Sequence, residues 1–267
     1  MTQTALPRTS QTSTRPRARR RVAVAVTGIV GCLLPTVWTF NLLRMLLTGD
    51  LAEHRFHQLT GQGLLLVAIW LGSLVPLVVA GWRGRRPGVG PGLLHLAFVV
   101  VGVGCALAAP QGGARELMVV IGVTGALVWL AIPRRPRLRG AVVELAPASL
   151  AAALLISAAV APYAVAQIGL QHAATGHHAQ NPHYFDMAWM LLVLAVVGVL
   201  GSLLRDARGL QLWAGAGTAA TGIAMLALGE GATGGTVFVV AGALLVGAWT
   251  LVRRGESSRF AGDSHGA

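Results

Sequence analysis

Residues 63–82 read GLLLVAIWLGSLVPLVVAGW, twenty positions without a charged side chain, and the next four are Arg83-Gly84-Arg85-Arg86. A bilayer core about 30 Å thick takes roughly 20 helical residues to cross. An apolar run of that length, stopped by a burst of arginine, is the pattern of a membrane-crossing helix anchored at a charged face. The rest of the chain agrees. Its 267 residues are 54% hydrophobic and only 11% charged, where a soluble domain carries about a quarter charged residues. A water-soluble globule is excluded. A formal charge of +12 does not indicate a nucleic-acid binder either, because the arginines sit between long apolar runs.

Working outward from residues 63–82, eight apolar runs reach or approach crossing length, near 22–43, 63–82, 93–110, 116–132, 141–166, 187–204, 210–229 and 234–252. The third, fourth and sixth are short, and Pro147 and Pro162 give the long fifth run places to bend. No alternating pattern of barrel strands appears, so the expected class is an all-α integral membrane protein. Arginines set its orientation. With the N-terminus inside, 18 of 21 fall in cytoplasmic segments, and only Arg44, Arg55 and Arg115 lie outside. By the positive-inside rule this predicts a multi-pass protein of the cell membrane with both termini cytoplasmic.

The chain is expected to divide into a basic disordered tail over 1–21, an eight-span domain over 22–252 and a second tail over 253–267. The first apolar run is about 22 residues long and no small-residue cleavage site follows it, so it reads as a retained anchor and not as a signal peptide. Anionic lipid headgroups are the expected partners of the Arg-rich loops, and a homo-oligomer or membrane complex would suit so apolar a surface. Cys32 and Cys105 sit inside apolar runs as packed thiols, and the absence of lysine removes Schiff-base and Walker-lysine chemistry. Loop lengths repeat: long outer loop, span, Arg-containing inner loop, then two spans joined by a short turn. That rhythm suggests two four-helix halves, 22–132 and 141–252, related by an axis along the membrane normal.

Histidine is placed unevenly. Six of eight, His54, His57, His172, His177, His178 and His183, fall in the two long outer loops. Imidazole is the commonest protein metal ligand and titrates in the physiological range. If span 2 begins as a helix near Leu51, then Glu53, His54 and His57 share a face. In the second loop Asn181-Pro182 reads as a cap and first helical residue, which puts His183 and Asp186 on one face of the first turn. Two helix ends, each with an i, i+3 pair, would then converge on one ion or on a haem edge. The candidate ligands are His54, His57, His177, His178, His183 and Asp186, with Glu53, His172 and Glu116 close to the same mouth. Such donors suit Zn, Cu, Ni or Fe. The plain alternative is that outer loops need polar residues, and that Asp186 simply complements a helix dipole.

Glu53 together with His57-Gln58-Leu59-Thr60-Gly61 resembles the Glu–His element before the second span of haem A synthases, which also have eight spans in two four-helix halves. The resemblance would imply haem chemistry. Spans 4, 6 and 8 contain no histidine to ligate an iron, however, and the cysteine pair of that family's first outer loop is missing, so the chain is not assigned to it.

Four function classes follow. The first is binding or handling of a transition metal or haem at the outer face. The second is a small-molecule or proton-coupled transporter or permease subunit with the histidines as its titrating group. The third is a membrane-embedded enzyme of lipid or isoprenoid metabolism, with Asp186, Glu53 or a histidine as general acid. A purely structural subunit of a larger complex is the fourth, non-catalytic alternative.

Overall fold

The computed structural model describes residues 15–50, 54–61, 63–110, 115–176, 179 and 182–263. Among them the chain is helical and holds no strand: α1 Arg15–Thr48, α2 Arg55–Leu59, α3 Leu64–Trp82, α4 Val89–Ala108, α5 Arg115–Ala131, α6 Pro147–Ala173, α7 His183–Leu203, α8 Leu210–Leu228 and α9 Ala232–Asp263. Seven stretches are long and apolar enough to cross a membrane: Ala18–Thr48, Arg55–Trp82, Val89–Ala108, Pro147–Ala173, His183–Leu203, Leu210–Leu228 and Ala232–Arg254. The eighth expected span corresponds to α5, which has 17 residues and is shorter than the other seven.

The outer surface is apolar. Ile29, Phe40, Leu107 and Val165 are each at least two-thirds exposed, a density of bare hydrophobic side chains that water does not tolerate but lipid does. The core gathers around α7. From Phe185 to Leu191 every residue is buried, as expected of a helix apolar on all sides. Helix α7 packs on α6, α8 and α4. The first four long helices close in the order α1–α3–α4–α5 with α5 returning to α1, and the last four in the order α6–α7–α8–α9 with α9 returning to α6.

Glycine sets the closest approach. A Cβ on Gly215 would come within 2.8 Å of the Gly242 carbonyl, and one on Gly222 within 2.6 Å of the Gly235 carbonyl, so α8 and α9 lie backbone against backbone. Small residues allow this close approach between helices. Between the two groups of helices, the Trp189 indole stacks on Phe98 at 4.5 Å and donates to the Phe98 carbonyl at 2.7 Å, against Gly102. The Trp213 ring on α8 fills the space beside Gly72 on α3.

Several boundaries differ from the sequence reading. Residues 15–21 continue α1 and 253–263 continue α9, both expected to be unstructured. Arginine is a good helix former, and Pro16 lies in the first turn of α1, where its missing N–H costs nothing. Helix α6 begins at Pro147, in the first turn, and reaches Ala173. Residues 142–146 before it are instead extended against 202–206, with Glu144 N–H donating to the Leu203 carbonyl and Arg205 N–H to that of Val142. Glu144 therefore pairs with Arg208 at 2.6 Å and Arg205 at 3.6 Å, and not with the arginines of 133–140. Arg44 pairs with Asp50 at 2.7 Å.

Candidate functional site

The second crossing is not one helix. Helix α2 stops at Leu59 and α3 starts at Leu64. Glycine is required here: a Cβ on Gly63 would fall on the Gln58 carbonyl, and one on Gly61 would lie 2.6 Å from both Cα and N of Met187. The break is held across to α7. The Thr60 hydroxyl donates to the Phe56 carbonyl at 2.6 Å and lies 3.0 Å from Met187 Sδ, which also accepts the Gly61 N–H at 3.2 Å. Because α3 alone covers about 28 Å at 1.5 Å per residue, the break lies at the mouth of the crossing. The expected continuous face of Glu53, His54 and His57 is replaced by this short turn of helix. Glu53 lies outside the described residues.

Helix α7 begins beside that turn. Asp186 N–H donates to the Pro182 carbonyl at 3.0 Å, so Pro182 is the residue before the helix and not its first. The proposed cap Asn181 lies outside the described residues. Phe185 N–H, one of the donors a helix start leaves open, is taken by Gln171 Oε1 at 3.1 Å. Gln171 is buried at the end of α6, and it ties that end to the start of α7.

This packing brings three imidazoles from two separate segments together. The His183 ring centroid lies 5.1 Å from that of His54, nearly parallel at 15°, and 5.1 Å from that of His57, tilted by 36°. His54 and His57 are 6.3 Å apart. Tyr184 meets His57 edge-on at 6.2 Å. Phe56, buried on α2, packs against the other side of His57 at 5.8 Å. One helical turn beyond His183, Asp186 is 1% exposed, and its Oδ1 meets no hydrogen-bond donor among the described residues. Burying a polar oxygen without a partner costs on the order of 1–3 kcal/mol, so native structures rarely do it without reason.

The remaining candidates do not join this group. His172 is exposed in the last turn of α6, where Gln171 is the side chain turned toward α7. Glu116 is exposed in the first turn of α5, a position its helix dipole favours. His177 and His178 lie outside the described residues. Among the described residues no set of three His, Cys, Asp or Glu side chains is placed to hold a metal ion. Thr60, Gly61, Gly63 and Met187 complete the site and were not singled out by spacing. The pair Gly61-x-Gly63, at the border between a polar loop and an apolar run, is the signal that marks the break.

Each neutral imidazole offers one ring nitrogen that donates and one that accepts a hydrogen bond, and a buried carboxyl lies one turn below them at an interrupted helix. No protein-family model matches the chain, and neither a curated protein nor a solved structure resembles it.

Proposed function

We propose that this is a polytopic membrane transport protein, or a permease subunit, that couples movement of a small solute to protons, with His54, His57, His183 and Asp186 as the titrating group. Asp186 carries the reading: it is buried, its Oδ1 meets no donor among the described residues, and it sits one turn from a ring 5.1 Å from two other imidazoles. Ionisable groups inside a membrane bundle mark proton relays and ion paths, and interrupted helices form coupling-ion sites. An eighth crossing by α5 belongs to the proposal. Arg20 and Arg21 on α1, Gly81 at the end of α3 and Arg134 after α5 line one cavity. The end of α5 thus reaches the arginine-rich face, which supports two four-helix halves with both termini on the cytoplasmic side of the cell membrane.

The test uses full-length protein in liposomes loaded with a pH-sensitive dye and challenged with a panel of small organic acids, amines and metal ions. One or more solutes should drive proton movement in wild type, and Asp186→Asn should abolish it while leaving the protein folded. Proton movement unchanged in both Asp186→Asn and His57→Ala/His183→Ala overturns the proposal.

Convergence of the three rings favours a second reading, binding of Zn, Cu, Fe or haem at the same mouth. It predicts stoichiometric metal or chromophore in purified protein, lost in His57→Ala/His183→Ala. Metal-free wild type that still couples protons removes it.

A further inference from the structure

At the opposite end of α3 from the histidines lies a cavity of about 430 Å³ lined by Arg20, Arg21, Arg83 and Arg134 around Gly81, Gly84 and Pro133. A second, of about 630 Å³, shares Arg20, Pro133 and Arg134 and adds Arg86 and Arg135. Each volume is in the range of small-ligand sites. Six arginines from three separate segments thus line this pair of adjoining openings.

The positive-inside rule accounts for arginine beside each helix, but not for this concentration without counter-charge. The same end of the second half provides the comparison. There Arg205 and Arg208 are matched by Glu144, and Asp206 accepts the Val142 N–H at 3.2 Å. Asp50, Glu53 and Glu116 are the only acids before residue 140, and of the two described ones Asp50 follows α1 and Glu116 opens α5, both at the histidine end. Among the described residues none of the six arginines is paired with a carboxylate. Self-repulsion on this scale is relieved by a multivalent anion, and a planar guanidinium fork suits phosphate oxygens.

We propose that this opening binds the headgroup of an anionic lipid carrying two phosphate charges, in the leaflet at the arginine-rich end. A lipid is favoured over a soluble phosphate because apolar surface continues from the rim. Leu130, which lines the second cavity, is 70% exposed, Val22 on α1 is 60% exposed, and Trp82, next to Arg83, is 49% exposed in the position of an interfacial aromatic anchor. Acyl chains can follow that surface while the phosphates enter between the arginines. Basic pockets at helix ends recognise such headgroups elsewhere. The inference rests on the membrane-spanning character of the bundle and is independent of the histidine site.

Native mass spectrometry of the full chain in detergent, titrated with cardiolipin, tests it. One lipid should bind per chain, and Arg83→Ala/Arg134→Ala should weaken it roughly 30-fold, about 2 kcal/mol for two arginines. Arg83→Lys/Arg134→Lys should recover part of the loss, which separates charge from misfolding. Arg253→Ala/Arg254→Ala, equally basic but outside the cavities, should leave affinity within about twofold. Equal losses in both alanine pairs, or lipid displaced by millimolar inorganic pyrophosphate that binds as tightly on its own, overturn the assignment to a lipid.

Discussion

Replacing Gly61 by alanine tests whether the break between α2 and α3 is held by contact with α7. The added Cβ would lie 2.6 Å from Met187 Cα and N, backbone atoms that no rotamer change can move aside. To reach an ordinary contact of about 3.4 Å, the two segments must part by about 0.8 Å. Overpacking of this kind costs roughly 1–3 kcal/mol. At about 2–4 °C per kcal/mol for a chain of this size, Tm should fall by roughly 2–12 °C. The assay is thermal unfolding of detergent-solubilised protein followed by tryptophan emission. Gly104→Ala on α4 is the comparison, because nothing lies within 4 Å of its added Cβ. Helix propensity predicts no loss there and a gain of up to about 1 kcal/mol. The two variants should therefore move Tm in opposite directions, and Gly61→Ala should also impair proton coupling by withdrawing His54 and His57 from His183. Equal melting of Gly61→Ala and wild type refutes the contact as the reason for the break.

Asp186→Asn keeps the shape and removes the exchangeable carboxyl proton, so it should hold or raise Tm while abolishing coupled proton movement; a large loss of stability would make the carboxyl structural instead. Gly222→Leu should destabilise by at least 1–3 kcal/mol, since its side chain has only the α9 backbone to enter, and limited proteolysis should then cut between α8 and α9. Glu144→Gln should cost no more than about 1 kcal/mol through its bond to Arg208, because the Glu144 side chain is 43% exposed although Arg208 is only 7% exposed; high salt should shrink that difference, because the exposed carboxylate is screened.

Helix positions were legible because crossing a bilayer demands a long apolar run, a requirement local in sequence. The meeting of His183 and Asp186 on one turn was legible for the same reason, being an i, i+3 relation on a single helix. The break after Leu59 was not, because what makes Gly61 exceptional among 35 glycines is Met187, more than a hundred residues away, and Gly63 is constrained only once the turn has folded it onto the Gln58 carbonyl. The partners of Glu144 were not legible either, because they are set by the pairing of residues 142–146 with 202–206, far along the chain. The ends of α1 and α9 run longer than expected since polarity alone does not stop a helix.

The two tryptophans that join the two groups of helices have a mechanical consequence. Trp189 is seated against Gly102 and Phe98, and Trp213 beside Gly72, so α7 and α8 each lodge one indole in a notch of the first group, on α4 and α3. Such a paired catch resists sliding in any direction in the membrane plane, but withdrawing a single ring leaves the other as a pivot. Opening of the molecule would then be a swing about one indole, and filling either notch with a larger side chain would jam it.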